Sequence, residues 1–392
     1  MLVVGASGSG KTRSIVTPNI LQATGSYVIV DPKGNLYSQY ASYLKKKGYI
    51  VQKLDFVNPG AQDTQTYNPF AYIRNDQDII KMANMMIRSR YHDGERVVSD
   101  PFWDDAGEML LVALIGYLYH YCDKESQSLH YVIKLLQAGN FEDYNYEKPM
   151  LDDVFEGIGR KDPDDFSYCC YKSYNTGADK TRKSILITLT SLLAIYDSKD
   201  MQHMLSEDTI NIQKIGERKT ALFVVISDTD RSMDTIANLF FTQAMNELCR
   251  IADARPDSRL PIDVRFILDD FATNVKISGF PRMIASIRSR GISAMIIIQA
   301  ESQLIRAYRE DGQTIIGNCD TYVYLGGNDV DTAERVAKRL NQPLMKILYM
   351  PVGANWIFRR GQMPIAGVNF ELEPLLNEKM KEVEKSAPDL SI

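Results

Sequence analysis

The sequence predicts an α/β fold built on a predominantly parallel sheet, carrying a phosphate-binding loop and interrupted by an all-α domain. Three observations predict it. Residues 5–12 read Gly-Ala-Ser-Gly-Ser-Gly-Lys-Thr, which fills every fixed position of G-x-x-x-x-G-K-[ST]. Several apolar runs show no alternation and end in polar residues, as strands buried on both faces of a parallel sheet do. Residues 76–211 break that rhythm with helical periodicity and no convincing strand pair.

Taken in order, Leu2-Val3-Val4 is a short strand and Lys11 to Leu21 is compatible with the helix that must follow the loop. Gly5, Ala6, Ser7, Gly8, Ser9 and Gly10 are expected to surround phosphate oxygens with backbone N–H groups, aided by the helix N-terminus. Lys11 is expected to reach the β- and γ-phosphates of ATP and the Thr12 hydroxyl to bind Mg²⁺. The bland alternative is a glycine-rich strand-to-helix turn with no nucleotide.

Further strands are read at Tyr27–Val30, Ala221–Ile226, Val264–Leu268, Ala294–Ile298 and Tyr322–Leu325. Helices are read over Asp76–Arg90, Asp104–Tyr121 and Lys183–Tyr196, with a long polar connection from Asp143 to Asp165. Asn355 to Arg360 and Pro364-Ile365 form a hairpin pattern. The expected organisation is a nucleotide-binding motor domain from 1–75 and 212–370, a helical insertion at 76–211, and a charged tail at 371–392, helical or frayed.

Bulk numbers set the limits. A chain of 392 residues with 45% apolar and 24% charged content is ordinary for a globular protein, and its formal charge of −5 argues against a nucleic-acid coat but leaves room for a local basic channel. Five cysteines without metal spacing suit small core positions in a reduced compartment. The run Met109–Cys122 is too short to span a bilayer and reads as a buried helix. Because the chain opens almost directly on the phosphate-loop strand, a preceding segment is expected.

Phe266-Ile267-Leu268-Asp269-Asp270 has the Walker B form. Asp269 is expected to hold Mg²⁺ through water, and Asp270 stands where many ATPases carry the glutamate that orients or deprotonates water. A strand followed by an Asp-capped helix explains the same five residues. Gln299 closes the next strand, where a polar side chain can sense the γ-phosphate or simply face solvent. Arg288 and Arg290 lie between these two motifs, suited by chemistry to neutralise transition-state charge from a neighbouring subunit, though helix arginines are commonly just solvated.

These residues together resemble the coupling-protein ATPases of type IV secretion and conjugation systems, the TraG/TraD-like family. The resemblance also takes in Ser26–Gly34, Tyr67-Asn68-Pro69-Phe70, Asp100-Pro101-Phe102-Trp103, Ala106–Leu111, Arg288–Gly291 and Ile296–Leu304, in the family's order over roughly residues 1–345. It implies a RecA-like motor domain interrupted by an all-α domain, a homo-hexamer when active, and ATP-driven delivery of single-stranded DNA, or DNA bearing a relaxase-type protein, to a secretion channel. It gives Lys11, Asp270, Gln299 and Arg288 catalytic roles, with Arg288 at the position of a candidate arginine finger, and it gives Thr12 and Asp269 the metal. Asp31 and Lys33 match a block near the subunit boundary, and equally a turn built on Pro32 and Gly34. Two departures stand out: aspartate at 270 in place of glutamate, and no transmembrane helix. The second implies attachment to the cytoplasmic face of the membrane through a missing N-terminal segment or a partner, and a monomer as the isolated chain.

Weaker signals remain. Phe102 and Trp103 suit a hydrophobic staple better than a base-stacking platform. Lys45-Lys46-Lys47 suits a helix C-terminus. Lys180-Thr181-Arg182-Lys183 and Arg359-Arg360 could meet a phosphate backbone if they face a pore. His92, His120, His130 and His203 show no ligand spacing. Two other functions fit less well: a ring ATPase for chromosome segregation or repair, and a nucleotide-binding docking receptor without efficient motor activity.

Overall fold

Among the described residues, nine strands form a single sheet in the order β3-β4-β2-β5-β6-β1-β7-β8-β9. They are β1 (Leu2–Val4), β2 (Ser26–Asp31), β3 (Ile50–Asp55), β4 (Thr220–Val225), β5 (Val264–Leu268), β6 (Ile292–Ile298), β7 (Thr321–Tyr324), β8 (Ala354–Arg359) and β9 (Ile365–Val368). The computed structural model describes residues 1–88, 101–140 and 150–386. The sheet is parallel from β3 through β7, and β8 and β9 add an antiparallel hairpin. This is the predicted α/β, predominantly parallel architecture.

β1, β2 and β4 are buried at every residue, which is why their sequences run apolar without alternation. β3 was not visible in the sequence. It is an edge strand whose Ile50-Val51-Gln52-Lys53 half is exposed or half-buried, so its composition is mixed.

The chain divides into two compact units, Met1–Val57 with Asn211–Met233 and Ala244–Ile392, and Asn58–Ile210 with Asp234–Gln243. The second unit, among the described residues, holds helices and no strand. It begins earlier than the 76–211 span read from sequence, because Tyr67-Asn68-Pro69-Phe70 is locked inside it. Tyr67 is fully buried and donates to Gln243 Oε1, while Asn68 Nδ2 donates to the Gln127 and Ser206 carbonyls at 2.8 and 2.9 Å. Within the same unit Phe155 stacks on Tyr171 with ring centres 4.1 Å apart, and Asp152 accepts from Tyr171 and twice from Arg182. Arg182 is therefore turned inward onto a buried carboxylate, and its expected availability to a phosphate backbone is lost.

The helix after the phosphate loop is widened. Thr17 N–H donates to Thr12 O, five residues back, and the next residue, Pro18, supplies no N–H. The C-terminal residues form the helix Leu372–Ser386. Leu372 belongs to the sheet-face core and Leu375 and Leu376 pack against it. Asp100, His92, Arg90 and residues 143–149 of the predicted connection lie outside the described residues, as do the side chains of Pro101 and Phe102. No helix among the described residues is long and apolar enough to cross a membrane.

Candidate functional site

The phosphate loop is suspended between two strand ends. Gly5 N–H donates to Ile298 O at 3.1 Å and Ala6 N–H donates to Gly326 O at 2.9 Å. A Cβ on Gly5 would lie 2.5 Å from Ser9 Oγ and 2.9 Å from Leu325, so only glycine lets the loop close this tightly. Gly10 has φ +85 and starts the helix through Ser14 N–H to Gly10 O at 2.7 Å.

Lys11 bends back over the loop and its Nζ donates to Gly5 O at 2.8 Å and Ala6 O at 3.0 Å. Burial pulls the Lys11 pKa down, opposed by the charges of Asp270 and Asp269. Thr12 Oγ1 donates to Asp269 Oδ2 at 3.3 Å, joining residues 257 apart in sequence. Asp269 is 7% exposed, and burial, reinforced by the Asp270 charge, pushes its pKa up to about 6. The Asp270 N–H, Lys11 and Thr12 pull the other way.

Asp270 has φ +48, the left-handed region that short polar residues tolerate best. No helix starts there. The chain makes a tight turn in which Thr273 and Asn274 N–H groups donate to Asp270 O, and Phe271 N–H donates to Ile297 O. The helix-cap explanation of the two aspartates therefore does not apply. Gln299 N–H donates to Gln303 Oε1 at 2.8 Å, and Gln303 Nε2 donates to Thr273 Oγ1 at 3.2 Å. Gln303 thus ties the end of β6 to the turn after β5, a role its sequence position did not reveal.

These side chains line one open cleft of about 820 Å³ at the carboxyl ends of the strands. Ser7, Gly8, Gly10, Lys11, Thr12, Asp269, Asp270 and Gln299 all face it, joined by Asp31, Lys33, Asp228 and Asn274. Asp31 is buried and its Oδ2 accepts from Tyr37 N–H at 2.8 Å, capping the helix Asn35–Lys46. Lys33 pairs with Asp228 at 3.3 Å.

Arg288 is not in this cleft. It precedes β6, whereas Gln299 follows it, and seven residues of strand separate the two ends by roughly 20 Å. Its side chain is 81% exposed and Nη1 bonds Asp320 Oδ2 at 3.2 Å. Arg290 pairs with Asp253 through two hydrogen bonds. One contributor was invisible in the sequence: Asn369, beyond the hairpin, whose Nδ2 donates to Ser9 O at 3.0 Å. Leu372 also lines the cleft, and Glu373 pairs with Arg13.

Residues 1–342 match the model of the type IV secretory system conjugative DNA transfer family. The chain belongs to that family. Among its relatives, the conjugal transfer protein TraG of Escherichia coli is 23% identical over 365 residues, covering 86% of this chain and 54% of that protein. Protein VirD4 of Rhizobium radiobacter is 22% identical over 358 residues, covering 88% and 48%. The chain spans about half the length of the curated relatives it matches. Among solved structures, the conjugative coupling protein TrwB, in its deltaN70 form with sulphate, superposes with a TM-score of 0.69 at 18% identity, covering 95% of this chain and 85% of that one. TrwB with the non-hydrolysable ATP analogue ADPNP gives 0.67 at 19%, covering 95% and 84%. Family membership thus agrees with the resemblance drawn from the motifs, and the fold likeness agrees with a RecA-like P-loop core.

Proposed function

We propose that this chain is the motor portion of a conjugative coupling protein, binding ATP with Mg²⁺ and hydrolysing it to drive single-stranded DNA, alone or with an attached relaxase-type protein, toward a type IV secretion channel. The observation that carries the reading is the meeting of Thr12 Oγ1 and Asp269 Oδ2 at 3.3 Å in the phosphate-loop cleft. The donor set suits a triphosphate. Lys11 lines the cleft and its Nζ rests on two backbone carbonyls rather than on a carboxylate. A phosphate would give it a charged partner.

Thr12 and Asp269 are the residues that would hold Mg²⁺, which when bound neutralises phosphate charge. Asp270 lines the same cleft, which supports a role in accepting a proton from, or orienting, a water molecule. Gln299 reports on the γ-phosphate through Gln303 and the Thr273 turn. The TrwB structures in complex with ADPNP and with ADP and Mg²⁺ support the same ligands here. Assembly into a hexamer, and attachment to the cytoplasmic face of the membrane through a segment outside this chain or a partner, belong to the same proposal, as does the motor and helical division read from the sequence.

Steady-state ATP turnover with and without single-stranded DNA tests it. Turnover stimulated by DNA and abolished in Lys11→Ala is the expected result. Absence of turnover under every oligomer-promoting condition, with nucleotide still bound, would instead favour a docking receptor, the reading that aspartate at position 270 keeps open.

A further inference from the structure

We propose that Asn369 is a positioning residue for the phosphate loop, acting through the Ser9–Gly10 peptide from the far end of the chain. The inference rests on the nucleotide reading above. Asn369 Nδ2 donates to Ser9 O at 3.0 Å, across 360 positions of sequence. The same nitrogen lies 3.2 Å from where a Cβ on Gly10 would stand, so the amide packs directly on the bare Gly10 backbone.

The consequence follows from peptide geometry. In a trans peptide the C=O and the next N–H point to opposite sides of the chain. Holding Ser9 O outward on Asn369 aims the Gly10 N–H the opposite way, and Gly10 lines the cleft. The following peptide is fixed independently, by Ser14 N–H on Gly10 O. Asn369 therefore fixes the one side of Gly10 that the helix cannot.

The amide is itself held. Asn355 Nδ2 donates to Asn369 Oδ1 at 3.3 Å, which leaves Nδ2 as the group facing Ser9. Asn369 N–H donates to Gly353 O at 2.6 Å. Asn355 is 6% exposed and packs against Gly367 of β9, where a Cβ would come within 2.7 Å of Asn355 Oδ1. The immediate neighbours Val368 and Phe370 are exposed. An exposed edge strand ends in an inward-facing asparagine relay, and the relay terminates on the phosphate loop.

Binding of a fluorescent ATP analogue with Mg²⁺ to the purified chain tests the proposal, together with KM and kcat. Asn369→Ala is expected to weaken binding about fivefold to tenfold, the worth of one net hydrogen bond. Asn369→Asp, of the same shape, is expected to weaken it further, since it sets a carboxylate oxygen against Ser9 O. The loss should appear in KM with kcat kept, and the nucleotide-free melting temperature of Asn369→Asp should stay within a few degrees of the parent. Should Asn369→Ala fail to fold, Asn355→Ala tests the relay from a distance and is expected to weaken binding; where Asn369→Ala does fold, the double variant should be no worse than it alone. Val368→Ala is the neighbouring control. Unchanged binding by Asn369→Asp, or a loss in Asn369→Ala fully accounted for by a lower nucleotide-free melting temperature, overturns the role. A parent chain that binds no nucleotide overturns the functional reading and this inference with it, a pattern distinct from parent binding unaffected by the variants.

Discussion

Asp269 serves two opposed demands. To hold a metal as proposed it must be ionised, yet it is buried beside a second carboxylate, and its pKa is pushed up to about 6. Its folded value therefore lies above that of an unfolded aspartate. Its ionised form destabilises the nucleotide-free fold, a cost fully present above pH 6 and relieved as pH falls through 6 toward 4. We expect Asp269→Asn to melt higher than the parent at pH 7.5 without nucleotide. Mg²⁺ competes with the same proton, so the Mg²⁺-dependent part of nucleotide affinity should be flat above pH 7 and weaken as pH drops through 6, approaching tenfold per unit. A titration of the Asp269→Asn variant showing the same pH profile would refute this. Asp270 lines the same cleft, and its proposed task is to act on water. Asp270→Asn should lower kcat about a hundredfold while nucleotide affinity holds; parallel losses of both would assign it to binding instead.

At the scale of elements, the helical unit depends on a buried ionic knot. Asp152 accepts from Arg182 at 3.0 and 3.1 Å and from Tyr171 at 2.7 Å, with the Phe155 ring stacked beside it. Arg182→Ala strands a buried carboxylate and should cost about 3 kcal/mol, read as a lower denaturant midpoint. A change of only a few tenths would place Arg182 at the surface. The phosphate loop, the Walker B strand and Gln299 were legible because doubly buried parallel strands write continuous apolar runs and their polar ends mark the ligand side. β3 was not, because an edge strand open to solvent along most of its length writes no continuous apolar run. Arg182 misled, because a basic tetrapeptide on a helix does not say which member turns inward. Asn369 could not be found at all, since a single asparagine after a hairpin carries no periodicity and its partner lies at the other end of the chain.

For the molecule as a whole, the position of Arg288 bears most on function. It sits about one strand length away from its own cleft, exposed and paired only with Asp320 among the described residues. If it serves catalysis, it serves a second copy of the chain. Purified at micromolar concentration, the chain should be monomeric and slow, with turnover rising faster than linearly with protein concentration. Arg288→Ala should lose turnover and keep nucleotide binding, and mixing it with Lys11→Ala should restore part of the activity. Strict proportionality to concentration, or no recovery on mixing, would exclude a shared site.

The order of strands also has a consequence for how the protein is made. Leu2 pairs with Ile296 on one side and Tyr322 on the other, so β1 lies mid-sheet between strands that leave the ribosome long after it. At cellular synthesis rates its partners trail it by tens of seconds. During that wait the Leu2-Val3-Val4 segment and the glycine loop behind it have no partner strand to join, and the phosphate-loop cleft closes among the last events of biosynthesis. A nascent chain stalled before β6 should accordingly be a good chaperone client and a poor binder of nucleotide.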